Sequence, residues 1–132
     1  MVFTKKIEVK VKSQDFADIT EEIEKTINES EVESGLCNVF SVGSTSAIII
    51  NENEPLLMED FRKRLERIAS SKELYQHPDN AFSHIRSALI GNNQTIPIEE
   101  GKLRLGTWQS IMVANFDTAT REREVIITVI GD

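Results

Sequence analysis

The stretch DNAFSHIRSALIG, residues 79–91, places Asp79, Asn80, His84 and Ser87 on what reads as a short helix, with His77 two residues upstream. The chain has only 2 histidines, and both lie here. Imidazole exchanges protons near neutral pH and is also a common metal ligand. His77, Asp79 and His84 are therefore candidate ligands for a divalent ion such as Zn²⁺ or Mg²⁺. Asn80, His84 and Ser87 follow helical spacing and share one face. Ala81, Ile85, Ala88 and Leu89 form a neighbouring apolar stripe, expected to face the core. The helix start adds free N–H groups that favour anions. The His77–His84 spacing is not in itself a metal signature, so ordinary surface or capping histidines remain the alternative reading.

Two further stretches carry candidate chemistry. In SVGSTSAIIINENE, the Gly43-Ser44-Thr45-Ser46 turn can offer backbone N–H and hydroxyl groups to an oxyanion, or it is a plain Ser/Thr turn. Asn51 and Glu52 follow at a strand end. Glu52 becomes a general base if burial raises its pKa, or it caps the next helix. In LRLGTWQS, Trp108 reads as core packing and Gly106 as a bulge or a close backbone approach. No Walker A, G-x-G-x-x-G, H-E-x-x-H or G-x-S-x-G motif occurs.

The elements that must position these residues follow from periodicity. Residues 3–12 alternate, with Phe3, Ile7, Val9 and Val11 on one face, and predict a half-buried strand. From Ser13 the period changes: Phe16, Ile19, Ile23 and Ile27 predict an amphipathic helix with Asp15 and Asp18 near its start. GLCNVFSV and SAIIIN predict strands, the second apolar on both faces and therefore central. Pro55 opens a helix to about Ser70, with Leu57, Phe61, Leu65 and Ile68 as its buried stripe. Asp79 or Asn80 caps the third helix, and Gly91 ends it. QTIPIEE, a turn at residues 99–102, LRLGTWQSIMVANF and REREVIITVI complete the pattern as strands. The expectation is one α+β domain over residues 1–132, its antiparallel β-sheets packed with helices.

Composition narrows the partners. With 132 residues the chain can bury a real core. A net charge of −7 argues against a nucleic-acid surface but still allows a small phosphorylated metabolite held by local cations. The single cysteine, Cys37, excludes an internal disulfide and reads as a small buried hydrophobe. No apolar run is long enough to span a membrane, and the alternating start lacks a signal-peptide core, so a cytoplasmic location is expected.

Taken in order, GSTSAIIINENEP, YQHPDNAFSHIRSALIG, IPIEEGKLRLGTWQSI and REREVIITVIGD resemble the YjbQ family, often described as secondary thiamine-phosphate synthases. The resemblance implies an α+β fold, a homotrimer and a polar pocket near the subunit interface that holds a metal or phosphate. It also implies a weak activity joining a thiazole phosphate to a pyrimidine pyrophosphate. By position it assigns His77, Asp79, Asn80 and His84 to a histidine-rich segment, Asn51 and Glu52 to an NEN stretch, and Gly106, Thr107, Trp108 and Gln109 to GTWQ. The histidine that many members carry in an H-T-[ST]-A stretch has no counterpart in the Gly43–Ser46 turn. Three functions follow as expectations. The first is a transferase with Glu52 and His84 in catalysis, Ser44, Thr45, Asn51, Asn80, Thr107, Trp108 and Gln109 around the substrate, and Arg86 or Arg104 on the pyrophosphate. The second is a metal-dependent hydrolase with Glu52 as base, and the third a non-catalytic trimeric binder of a phosphorylated metabolite.

Overall fold

A computed structural model describes all residues from Met1 to Asp132. The order of elements is β1 (Val2–Val11), β2 (Asp15–Asp18), α1 (Thr20–Ser30), β3 (Gly35–Ser41), β4 (Ser46–Asn51), α2 (Pro55–Ile68), α3 (Ala81–Ile90), β5 (Asn93–Glu99), β6 (Lys102–Leu103), β7 (Ser110–Asn115) and β8 (Arg121–Gly131). Two antiparallel sheets form, one of order β1-β8-β3-β5-β6 and a smaller one of order β2-β7-β4. This is the α+β architecture that the sequence predicts.

The main core lies between the sheets. Cys37, Val39, Ile96, Val125 and Ile127 of the large sheet meet Ile48, Ile111 and Val113 of the small one. Ile23 and Ile27 of α1 close the same cluster. Each such side chain contributes about 1.5–3 kcal/mol when fully buried. Burial also pushes the Cys37 thiol up to about 12, which keeps it protonated and unreactive. On the other face of the small sheet, Ala47, Ala114 and Phe116 form a second cluster against Phe16, Ile49, Leu65 and Ile90. Helices α2 and α3 therefore cover the small sheet from outside.

Four local expectations change. Asp15–Asp18 is a strand paired with β7, and α1 begins only at Thr20. Here sheet pairing overrides a helical spacing that Phe16 and Ile19 satisfy by coincidence. Strand β4 is an edge and not a centre. Its apolar faces are both covered, and its outer edge is capped: Ile48 N donates to Gly91 O, and Gln94 Nε2 donates to Ile48 O. The run expected as one strand after Lys102 breaks at residues 104–109, so that β6 and β7 join different sheets.

The fourth change bears on the site. Helix α3 buries Ala81, Phe82, Ser83, Arg86 and Ser87, while Ile85 and Leu89 stay exposed. Beyond Ala81 the apolar stripe faces out, and of the polar one Ser87 is buried while Asn80 and His84 are half-buried. On α2 the stripe is likewise only half covered. Met58 is buried but Ile68 is 61% exposed.

Candidate functional site

His77 and Asn80 precede α3, and His84 lies one turn into it. The two imidazole rings pack edge to face, with centroids 5.0 Å apart. Asn80 Oδ1 lies 3.2 Å from His77 Nε2, so with Nε2 protonated the imidazole donates to the amide oxygen. Asp79 takes the left-handed φ of 69°. That conformation turns the chain sharply from His77 into the helix.

Asp117 follows the end of β7. Burial alone would raise its carboxyl. The Thr118 amide and Arg121 donate to it and hold it below the usual carboxylate range. Arg121 Nε sits 2.9 Å from Asp117 Oδ2. Two polar pairs therefore stand here, His77 with Asn80 and Asp117 with Arg121. The Asn80 amide oxygen orients the His77 ring.

Arg123 stands near Asp117 and Arg121, 7% exposed. Its NH2 group donates to the Thr45 carbonyl, the Thr45 hydroxyl and Asn115 Oδ1. Its Nε is buried without a partner. Burial pulls its pKa down and Asp117 pulls it up; a guanidinium nevertheless stays charged.

The residues singled out in the sequence fall into two groups. Thr45, His77, Asn80 and His84 gather at one end of the small sheet, where Ser46 pairs with Asn115. Ser44 lies exposed on the same turn as Thr45. Asn51, Glu52, Thr107, Trp108 and Gln109 lie at the other end, where Asn51 pairs with Ser110. Five residue steps of strand separate the ends by about 17 Å. Trp108 is 72% exposed instead of packed in the core. Gly106 closes a tight loop there, its N–H donating to Gln109 Oε1 at 2.7 Å. Glu52 stands apart from the histidines, its N–H donating to Asn51 Oδ1.

Arg86 is 3% exposed and fully engaged inside the chain. It donates to Gln14 Oε1, Glu66 Oε2 and the Ala69 carbonyl, and its guanidinium lies 4.9 Å from the Phe82 ring centroid. Arg104 is exposed beside Glu99. No three His, Cys, Asp or Glu side chains converge as a metal ion requires, so His77, Asp79 and His84 do not form a ready ligand set in a single chain.

Asp117, Asn115 and Arg123 escaped the sequence reading. A signal was present for Arg123. In REREVIITVI the inward row is Val125, Ile127 and Val129, and alternation carries that row back to Arg123. An arginine on the core face of a strand is a residue that needs a reason.

The sequence profile of the family described as UPF0047 protein YjbQ-like matches residues 5–132. A UPF0047 protein of Methanothermobacter thermautotrophicus is 38% identical over 98% of this chain and 93% of its own length. The UPF0047 protein YugU of Bacillus subtilis is 33% identical over 96% of this chain and 98% of its own. Among solved structures, a YbjQ-like protein of unknown function from Sulfolobus solfataricus superposes with a TM-score of 0.91 at 30% identity, covering 100% of both chains. An uncharacterised conserved protein of the yjbq/upf0047 family from Clostridium acetobutylicum gives 0.90 at 36% identity, covering 96% of this chain and 99% of that one. With its profile match over residues 5–132 and its relatives at up to 38% identity, the chain belongs to the YjbQ-like UPF0047 protein family.

Proposed function

We propose that this chain binds a small phosphorylated metabolite beside His77 and His84 and moves a proton on it. The observation that carries this reading is the histidine pair itself. The rings touch edge to face, and one is oriented by the asparagine at the start of α3. An imidazole fixed in that way is prepared to donate or accept a proton, because its orientation is set before a ligand arrives.

Resemblance to the family supplies the reaction to try: substitution at a carbon activated by pyrophosphate, joining a thiazole phosphate to a pyrimidine. In that reaction the thiazole nitrogen bonds to the activated carbon as the C–O bond to pyrophosphate breaks, and the leaving pyrophosphate needs positive charge or a proton from an oriented acid. A divalent ion could share the charge if the ligand's own oxygens complete its coordination around the histidines. No helix here is long and apolar enough to cross a membrane.

The same reading includes self-assembly as a homotrimer. A groove of about 270 Å³ between α2, α3 and β4 is lined by Ile49, Phe61, Leu65, Ile68 and Ile90 and is left uncovered by the chain. In this reading the groove is the surface on which a second copy packs. Assembly would also give the Asn51, Glu52 and Trp108 end of one copy a route to the histidine end of another.

The test is product formation from the two phosphorylated precursors with Mg²⁺ supplied, run on the wild-type chain and on His84→Ala. Loss of about a hundredfold or more in His84→Ala is expected for a general acid or base. A rate unchanged by the substitution would remove the histidine pair from the chemistry.

A further inference from the structure

The Gly43–Ser46 turn and Arg123 meet at the histidine end of the small sheet. Gly43 has φ 133°, a region that side chains disfavour. A Cβ placed on it would come within 3.1 Å of Arg123 NH1. The glycine therefore keeps open the space over a guanidinium nitrogen. Within the chain only the NH2 group of that guanidinium is engaged, and NH1 has no hydrogen-bond partner.

The turn is built firmly. Asn92 Nδ2 donates to the Gly43 carbonyl at 2.7 Å and to the Ser41 carbonyl at 3.1 Å. The hydroxyls of Ser41 and Ser46 bond each other at 2.7 Å, and Phe116 N donates to the Thr45 carbonyl. The backbone N–H groups of Gly43, Ser44 and Thr45 are not used in any hydrogen bond of the chain. Unspent amides beside an arginine nitrogen form the usual cradle for an oxyanion.

Local charge agrees. Two guanidiniums, Arg121 and Arg123, face the one carboxylate of Asp117, and Arg121 already pairs with it at 2.9 Å. One positive charge is left over, in a chain whose net charge is −7. A buried cation with unspent donors is costly unless something completes it.

We infer that Arg123 NH1 and the Gly43–Thr45 turn form a phosphate subsite at the histidine end of the small sheet. A terminal phosphate or pyrophosphate group would sit over Gly43 and take hydrogen bonds from Arg123, the turn amides and the Ser44 hydroxyl. This inference rests on the reading that the ligand is phosphorylated, and it gives the ligand an orientation: its phosphate at the turn, its reacting part toward His84. Arg123 is then a binding residue, and Gly43 is the residue that makes room.

The experiment is titration calorimetry of the full chain with inorganic phosphate and inorganic pyrophosphate. It is run on wild type, Arg123→Met, Gly43→Ala and His84→Ala, each checked for a native circular-dichroism spectrum. Wild type is expected to bind pyrophosphate more tightly than phosphate, and more weakly as salt rises. Arg123→Met is expected to lose at least about tenfold in affinity, as for a hydrogen bond to a charged group. Gly43→Ala, which leaves the arginine in place and crowds NH1, is expected to lose binding too, and it decides the question should Arg123→Met fail to fold. His84→Ala keeps most of its phosphate binding while losing turnover. Pyrophosphate bound equally by wild type, Arg123→Met and Gly43→Ala would overturn the subsite and leave the histidine reading standing. Absence of pyrophosphate binding in wild type would overturn it as well. Unchanged turnover in His84→Ala with binding lost in Arg123→Met would do the reverse, sparing the subsite and removing the histidine chemistry.

Discussion

Helices α1 and α3 are nearly the same length and both pack on sheets, yet they are attached by opposite means. Helix α1 buries Ile23 and Ile27 and turns its carboxylates to solvent. Helix α3 buries Ser83, Arg86 and Ser87 and leaves Ile85 and Leu89 outside. Apolar area removed from water holds the first. Beside its buried Ala81 and Phe82, directional bonds hold the second: Ser87 Oγ to the Ser46 carbonyl at 2.6 Å, and Arg86 to Glu66, Gln14 and Ala69. Oily contact tolerates small rotations of a helix, whereas three bonds from one guanidinium do not. The helix that carries His84 is thus the one whose rotation is fixed.

The contrast can be broken most sharply by paired truncations. Ile23→Ala in α1 is expected to cost about 4 kcal/mol in urea unfolding, and Ile85→Ala in α3 less than about 0.5 kcal/mol. Equal costs would mean that α3 is held by apolar burial after all. A cost for Ile85→Ala seen only at high protein concentration would place that residue in an interface between copies.

Next in size is Arg86→Ala. It strips partners from Gln14, Glu66 and the Ala69 carbonyl and is expected to cost about 3 kcal/mol, toward the low end for a buried pair because Glu66 keeps contact with water. Measured by the same unfolding curves, a cost below that of an ordinary surface change would refute the role given to Arg86.

Smaller still is an effect of acid. Burial acts to raise the Glu66 carboxyl, but donors from Ser71, Arg86 and Ser70 outweigh it and bring it from 4.5 down to about 2. A carboxyl depressed on folding adds stability that is full above its unfolded value and lost as pH falls through the folded one. Wild type should therefore lose stability between about pH 4.5 and pH 2 in a part that Glu66→Gln lacks. Parallel pH profiles of the two proteins would contradict the linkage.

The same contrast explains what the sequence revealed. Apolar alternation gave β1 with its correct inward face, since a half-buried strand writes its burial into every second residue, and it marked β3, β5 and β8 as strands. Capping residues located the start and stop of α3. The orientation of α3 was hidden, because its periodicity shows two stripes and the polar one is buried here for its bonds. Asp15–Asp18 was hidden for a related reason: a short strand paired to β7 has too few residues to establish a period. Partners such as Thr45 and Gln14 come from distant parts of the chain, and only the folded topology brings them to Arg123 and Arg86.

The most direct test of the account uses the chain's economy in histidine. With only His77 and His84 present, an imidazole-selective NMR spectrum has two sets of signals and no overlap to resolve. Inorganic pyrophosphate is added stepwise to the full chain at fixed pH and salt. Placement of the phosphate site beside an ordered histidine pair predicts that both imidazoles shift along one saturable curve, and that Gly43→Ala abolishes the shift. Histidine signals that stay fixed while calorimetry records pyrophosphate binding would put the anion elsewhere and contradict the account.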